Sequence, residues 1–76
     1  MKELVEFLAK SLVDKPEDVQ VGSYEREQAT IIELEVAHED LGKVIGRQGR
    51  TARAIRTLLS AAGQKVRRRY TLDIVD

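Results

Sequence analysis

The sequence predicts an α+β fold in the order α-β-β-α-α-β, with a three-stranded sheet carrying its helices on one face. Three observations point there. Residues 2–13 space their apolar side chains at the helical period. Residues 29–37 alternate apolar and polar positions as a half-buried strand does. Residues 38–62 return to helical spacing but are broken by two glycines, Gly46 and Gly49. Each element offers a single apolar side, so stacking helices on one sheet face buries all of them. At 76 residues the chain is expected to form one domain, spanning 1–76, with a small but sufficient core.

In the first helix, Leu4, Val5, Leu8 and Leu12 share a face with Phe7 at its border, while Glu3, Glu6 and Lys10 face water. Asp14-Lys15-Pro16 ends it, because the residue before a proline is biased away from helix. Strands are expected at 18–24 and 29–37, with the polar Glu25-Arg26-Glu27-Gln28 between them as a hairpin loop or the frayed ends of the two strands. In the second strand Ile32, Leu34 and Val36 form the buried side. His38-Glu39-Asp40 then opens a short helix with acids in its first turn, where the helix dipole favours negative charge. Leu41, Val44 and Ile45 are its apolar positions. After Gly46-Arg47-Gln48-Gly49, a helix is expected from about Arg50 to Ala62, burying Ala52, Ile55, Leu58, Leu59 and Ala62 and turning Arg50, Arg53 and Arg56 outward. Gly63 is placed to cap it. A last strand spans 66–75, with Arg68, Tyr70, Leu72 and Ile74 on one side.

Composition narrows the chemistry. There is no cysteine and His38 is the only histidine, so neither a disulfide framework nor a metal site is expected, and no cofactor is implied. No run approaches the ~20 apolar residues of a membrane span. The acids near Met1 do not suit a signal peptide, which makes the cytoplasm the expected location. The chain is neutral overall, yet residues 1–40 hold 11 acids against 4 bases and residues 41–76 hold 9 bases against 2 acids. The second half is therefore a basic patch of the kind that nucleic acid attracts, or one pole of a dipolar surface.

The basic half contains Gly42-Lys43-Val44-Ile45-Gly46-Arg47-Gln48-Gly49-Arg50, followed by Ala52-Arg53-Ala54-Ile55-Arg56. Glycines let backbone amides approach a phosphate, and the N-terminus of the following helix adds unpaired N–H groups and partial positive charge. Gly46 and Gly49 could also be plain turn residues, but that does not account for the bracketed basic pair or the arginine opening the next helix. In the binding reading Arg47 supplies charge to phosphates and Gln48 donates to phosphate or ribose. Lys43 and Arg50 flank the loop, and Arg53 lies one turn inside the helix.

This run between two short helices resembles the GXXG loop of a KH domain. The element order is similar to the type II arrangement of that fold, in which an extra helix and strand come first. Over essentially its whole length the chain resembles the small free-standing bacterial KH proteins of the KhpA (YlqC-like) type. The resemblance implies a non-catalytic single-stranded RNA-binding module, acting as an RNA chaperone or regulator, with Lys43, Gly46, Arg47, Gln48, Gly49, Arg50 and Arg53 as its RNA contacts. It also implies self-association, pairing with a larger KH-containing protein of the Jag type, and a dimer surface on the helix that follows the loop. KH domains accept bases on an aliphatic floor, and Val44, Ile45 and Ile55 are candidates for floor or core. A protein-docking module without RNA binding is the rival reading, and the basic Gly-Arg-Gln-Gly loop weighs against it.

Other candidates have simpler readings. Arg56 belongs to the solvated face of its helix. Arg67-Arg68-Arg69 is either a nucleic-acid patch or edge-strand protection, and alternation along a strand favours the latter. Tyr70 packs with the core, while Tyr24 is left open. With so few aromatics the chain does not fit a base-stacking platform. His38 reads as a helix-start residue. Glu33 and Glu35 form the wet side of their strand, and nothing arranges them as a catalytic acid pair.

Overall fold

A computed structural model describes residues 1–75. The elements are α1 (Lys2–Leu12), β1 (Gln20–Arg26), β2 (Ala29–Glu35), α2 (Leu41–Ile45), α3 (Arg50–Lys65) and β3 (Arg69–Ile74), with 3₁₀ turns at Pro16–Asp18, His38–Asp40 and Arg47–Gly49. This is the α-β-β-α-α-β order of a type II KH fold. The sheet order is β1-β2-β3, antiparallel between β1 and β2 and parallel between β2 and β3. β3 is therefore an edge strand whose outer row of backbone groups has no neighbouring strand.

The core lies between one sheet face and the helices. Ile32, Leu34, Val36 and Leu72 meet Val5 and Ala9 of α1, Val44 of α2, and Ile55 and Leu59 of α3. The alternation predicted for β2 is the observed one, with Thr30, Ile32 and Leu34 buried and Glu33 and Glu35 on the open side. Thr30 is a polar residue on the buried side because its hydroxyl is satisfied: it donates to Glu25 and accepts from Arg68.

Five expectations are corrected. α1 buries Val5 and Ala9, with Leu8 packed partly against the core, and leaves Phe7 and Leu12 exposed, so the stripe that meets the sheet runs through Ala9 rather than Leu12. The first strand lies at Gln20–Arg26 rather than 18–24: Glu25 and Arg26 join it, and Glu27 and Gln28 form the tight turn into β2, with Glu27 at a φ of 56°. Gly63 does not end α3. It is buried inside the helix, which continues to Lys65, and a Cβ there would stand 2.2 Å from the Arg68 carbonyl oxygen and 3.1 Å from the Tyr70 ring. Glycine at 63 thus allows the returning chain to pass tightly over the helix. The expected strand start at 66 is instead a turn, with Arg67 at a φ of 55° and β3 beginning at Arg69. Leu58, expected in the core, is 51% exposed on the outer side of α3.

Candidate nucleic-acid interface

α2 stops at Gly46, which takes φ 80° and ψ 169°, a conformation that L side chains rarely adopt. Its amide donates to the Gly42 carbonyl at 2.8 Å, closing the last turn of α2. A Cβ at this position would fall 2.2 Å from Thr51 Oγ1 and 2.7 Å from the Thr51 nitrogen, so the glycine is also required by contact with the start of α3. Gln48 sits at φ 57° and Gly49 at φ 74°, and the Gly49 amide donates to the Gly46 carbonyl at 3.1 Å. Around Gly49 there is open space, so glycine is favoured there by backbone conformation and not by a close neighbour. The loop delivers the chain directly into α3, whose 16 residues sum to a substantial dipole and whose N-terminus has no side-chain cap.

Beside the loop lies a cleft of about 330 Å³ lined by Leu41, Ile45, Gly49, Ala52, Arg56, Asp73 and Ile74. α2 and α3 form one wall and the free edge of β3 the other. Of the three floor candidates only Ile45, 39% exposed, lines this cleft, beside Leu41, Ala52 and Ile74; Val44 and Ile55 are core. Sequence spacing could not separate Val44 from Ile45, because both lie within one helical turn. Leu41, Arg56 and Ile74 are contributors that sequence reasoning missed or assigned elsewhere. The signal available for Leu41 was its i,i+4 relation to Ile45, while Ile74 becomes adjacent only through the return of β3.

The predicted contact residues separate into two groups. Gly49 lines the cleft, Gly46, Arg47, Gln48 and Arg50 adjoin it in the loop and the first turn of α3, and Arg50 Nη2 donates to Gln48 Oε1 at 3.3 Å. Arg53 is exposed on the α3 flank beyond Arg50 and does not line the cleft, whereas Arg56 does. Among the described residues, none of Arg47, Arg50, Arg53 and Arg56 makes an ion pair. Lys43 lies on the other side of α2 from Leu41 and Ile45, and its ammonium meets Asp14 at 3.2 Å. It ties α2 to the segment after α1 and stands away from the cleft.

The carboxylate of Asp40 was not recognised from sequence beyond its place in an acidic first turn. It is 2% exposed and accepts the backbone N–H groups of Asp14 and Lys15 at 3.3 and 3.0 Å. These bonds pin the end of α1 against the start of α2. Alongside, Lys15 Nζ meets Glu39 Oε2 at 2.7 Å. That hydrogen bond holds the Lys15 ammonium above and the Glu39 carboxyl below their usual ranges. Together these contacts set the orientation of the helix that presents Leu41 and Ile45.

Comparison with known proteins places the chain in a family. The family model described as KhpA/KhpB, KH domain matches residues 2–74. The chain is 56% identical over 75 residues to a protein of Clostridium perfringens named RNA-binding protein KhpA, covering 99% of this chain and 100% of that one. Proteins of the same name from Borreliella burgdorferi and Aquifex aeolicus are 55% and 49% identical, covering 97% and 100% of this chain and 90% and 96% of theirs. No solved structure matches the chain. With a family model spanning nearly every residue and relatives of about the same length, the chain belongs to the KhpA/KhpB KH-domain family.

Proposed function

We propose that this chain is a non-catalytic, single-stranded RNA-binding module, with residues 1–76 working as one domain. Arg47, Gln48 and Arg50, with the amides of the Gly46–Gly49 loop, hold the sugar-phosphate backbone, and Arg53 adds charge beyond the loop. About four nucleotides lie along the cleft, their bases on Ile45, Leu41, Ala52 and Ile74 and their edges facing the free backbone of β3. The observation that carries this reading is the joining of two halves of a nucleic-acid site. A glycine loop with open space at Gly49 and unpaired arginines meets an apolar cleft of about 330 Å³ at the N-terminus of a long helix. The names of the relatives, RNA-binding protein KhpA, support the choice of RNA as ligand.

Lys43 enters this reading only through long-range charge, since Asp14 already engages it. Association with a second copy, or with a larger KH-containing protein of the Jag type, completes the proposal, as does a cytoplasmic location. Leu58, half exposed between the exposed Ala54 and Ala61 on the outer side of α3, supports a protein contact there. A single KH site binds weakly and gains from such multivalency.

The test is an NMR titration with a short unstructured RNA at low and moderate salt. Shifts are expected at 46–53 and in Ile45 and Ile74, weakening as salt rises. Replacing Arg47 and Gln48 together by aspartate removes binding through repulsion and leaves the spectrum of a folded domain. Unchanged affinity in that variant would refute the loop as the grip, and the absence of shifts in the parent chain would favour a docking module.

A further inference from the structure

Residues 41–72 contain nine bases and no acid, and only part of that charge lies at the cleft. Lys65, Arg67, Arg68 and Arg69 gather where the chain turns from α3 into β3. There a second cleft, about 610 Å³, is lined by Glu27, Gln28, Arg67, Arg68 and Arg69. The three arginines are not equivalent. The Arg68 guanidinium is tied internally: it pairs with Glu25 and donates to Thr30 Oγ1 at 2.9 Å, while Thr30 itself donates to Glu25. This triad braces the turn between the β1–β2 hairpin and β3. Arg67 and Arg69 flank the brace, are exposed, and make no ion pair among the described residues.

Arg67 also holds a positive φ of 55°, where glycine or asparagine would be easier. Conformation alone does not favour arginine there, and edge protection does not require it, because Arg67 precedes the strand. Its charge is the property left to explain it.

The position of this cluster relative to the first cleft gives that charge a ligand. β3 returns antiparallel along α3: Gly63 lies under Arg68 and Tyr70 at one end, and Ala52 and Arg56 share the cleft with Asp73 and Ile74 at the other. From Asp73 back to Arg69 is about 13 Å along the strand, which corresponds to about four stacked nucleotides at 3.4 Å each. Along α3 the same course leads from Arg56 past Ser60 and Gln64, which are exposed, polar and uncharged. We propose that Arg67 and Arg69 form a second backbone contact for single-stranded RNA, taking the phosphates of a strand that runs out of the GXXG cleft along the free edge of β3. The ligand class rests on the RNA-binding reading of the cleft; the site itself is separate from it.

The test compares an unstructured RNA tetramer, which the first cleft can hold alone, with a dodecamer that reaches both. The variant carries Arg67→Gly and Arg69→Ser. Glycine suits the backbone at 67, and the Arg68–Glu25–Thr30 brace is untouched, so its melting curve checks only that the fold is intact. Affinities are read by fluorescence anisotropy across a salt series. Two phosphate contacts on a single strand contribute about 1.4 to the slope of log K against log salt, or about 25-fold in affinity near 0.1 M salt if the effect vanishes at 1 M. The variant should lose about that factor and that slope on the dodecamer and bind the tetramer like the parent chain. Restoring charge with Arg67→Lys and Arg69→Lys should recover most of the slope. Equal dodecamer affinity and slope in parent and variant would overturn the second contact. Loss on tetramer and dodecamer alike would show a general field effect and overturn it too. If the parent chain binds the dodecamer but no tetramer, and the variant still loses slope, the cluster stands and the cleft reading falls. If the parent chain binds neither RNA, both fall.

Discussion

Replacing Gly63 by alanine separates the local from the tertiary account of α3. Judged by helix propensity, the change should help: alanine is favoured over glycine in a helix interior by about 1 kcal/mol. The structure predicts the opposite sign. A methyl group at 63 would be 2.2 Å from the Arg68 carbonyl oxygen, a distance that backbone cannot accept, and 3.1 Å from the Tyr70 ring. The returning chain must lift away, weakening the 2.8 Å bond from the Arg68 amide to the Gly63 carbonyl. Overpacking of this kind costs about 1–3 kcal/mol and the strained hydrogen bond about 1 kcal/mol more. Set against the propensity gain, the net loss is roughly 1–3 kcal/mol, a fall in Tm of roughly 5–20 °C for a chain of this size. Gly42→Ala is the matched control. Gly42 is exposed within α2, its φ is ordinary and nothing lies within 4 Å of its Cβ position, so the same substitution should stabilise by about 0.5–1 kcal/mol. Thermal and urea melts of both variants decide the matter. A Tm for Gly63→Ala equal to or above that of the parent chain would refute the close passage of β3 over α3.

The remaining expectations concern the loop, the brace and the core. Gly46→Ala should distort the loop through its clash with Thr51 and abolish the RNA-dependent NMR shifts. Gly49→Ala should lose about 1 kcal/mol of stability to its positive φ alone and weaken RNA by narrowing the cleft. Asp40→Ala leaves the Asp14 and Lys15 amides without their acceptor and should cost about 2–4 kcal/mol in urea unfolding, while Asp40→Asn, which keeps one oxygen, should cost less. Ile55→Asp places a charge at a position only 4% exposed and should abolish the cooperative melt; an unchanged Tm would show that the helix packs on a different face.

Hydrophobic period and glycine placement determined most of this protein. The alternation of Ile32, Leu34 and Val36, the helical spacing on either side of Gly46–Gly49 and the early proline were enough to predict six elements in order and helices on one sheet face. The loop glycines were legible too, because a positive φ is a local demand that sequence records directly. Failures of that reading share a cause. Gly63 looked like a helix cap because a glycine near a helix end ordinarily is one, and only the path of β3 shows what approaches it. Asp40 looked like a first-turn acid, but its partners lie 25 and 26 residues away. Ile45 and Val44 have the same chemistry and adjacent positions, and which of them faces the cleft depends on how α2 is rotated by Asp40 and the Lys43–Asp14 pair. Arg67, Arg68 and Arg69 read as one run, yet Glu25 neutralises only the middle one. Sequence encodes what each residue prefers alone; charge pairing, close approach and the sharing of a cleft between distant segments exist only once the chain has folded back on itself.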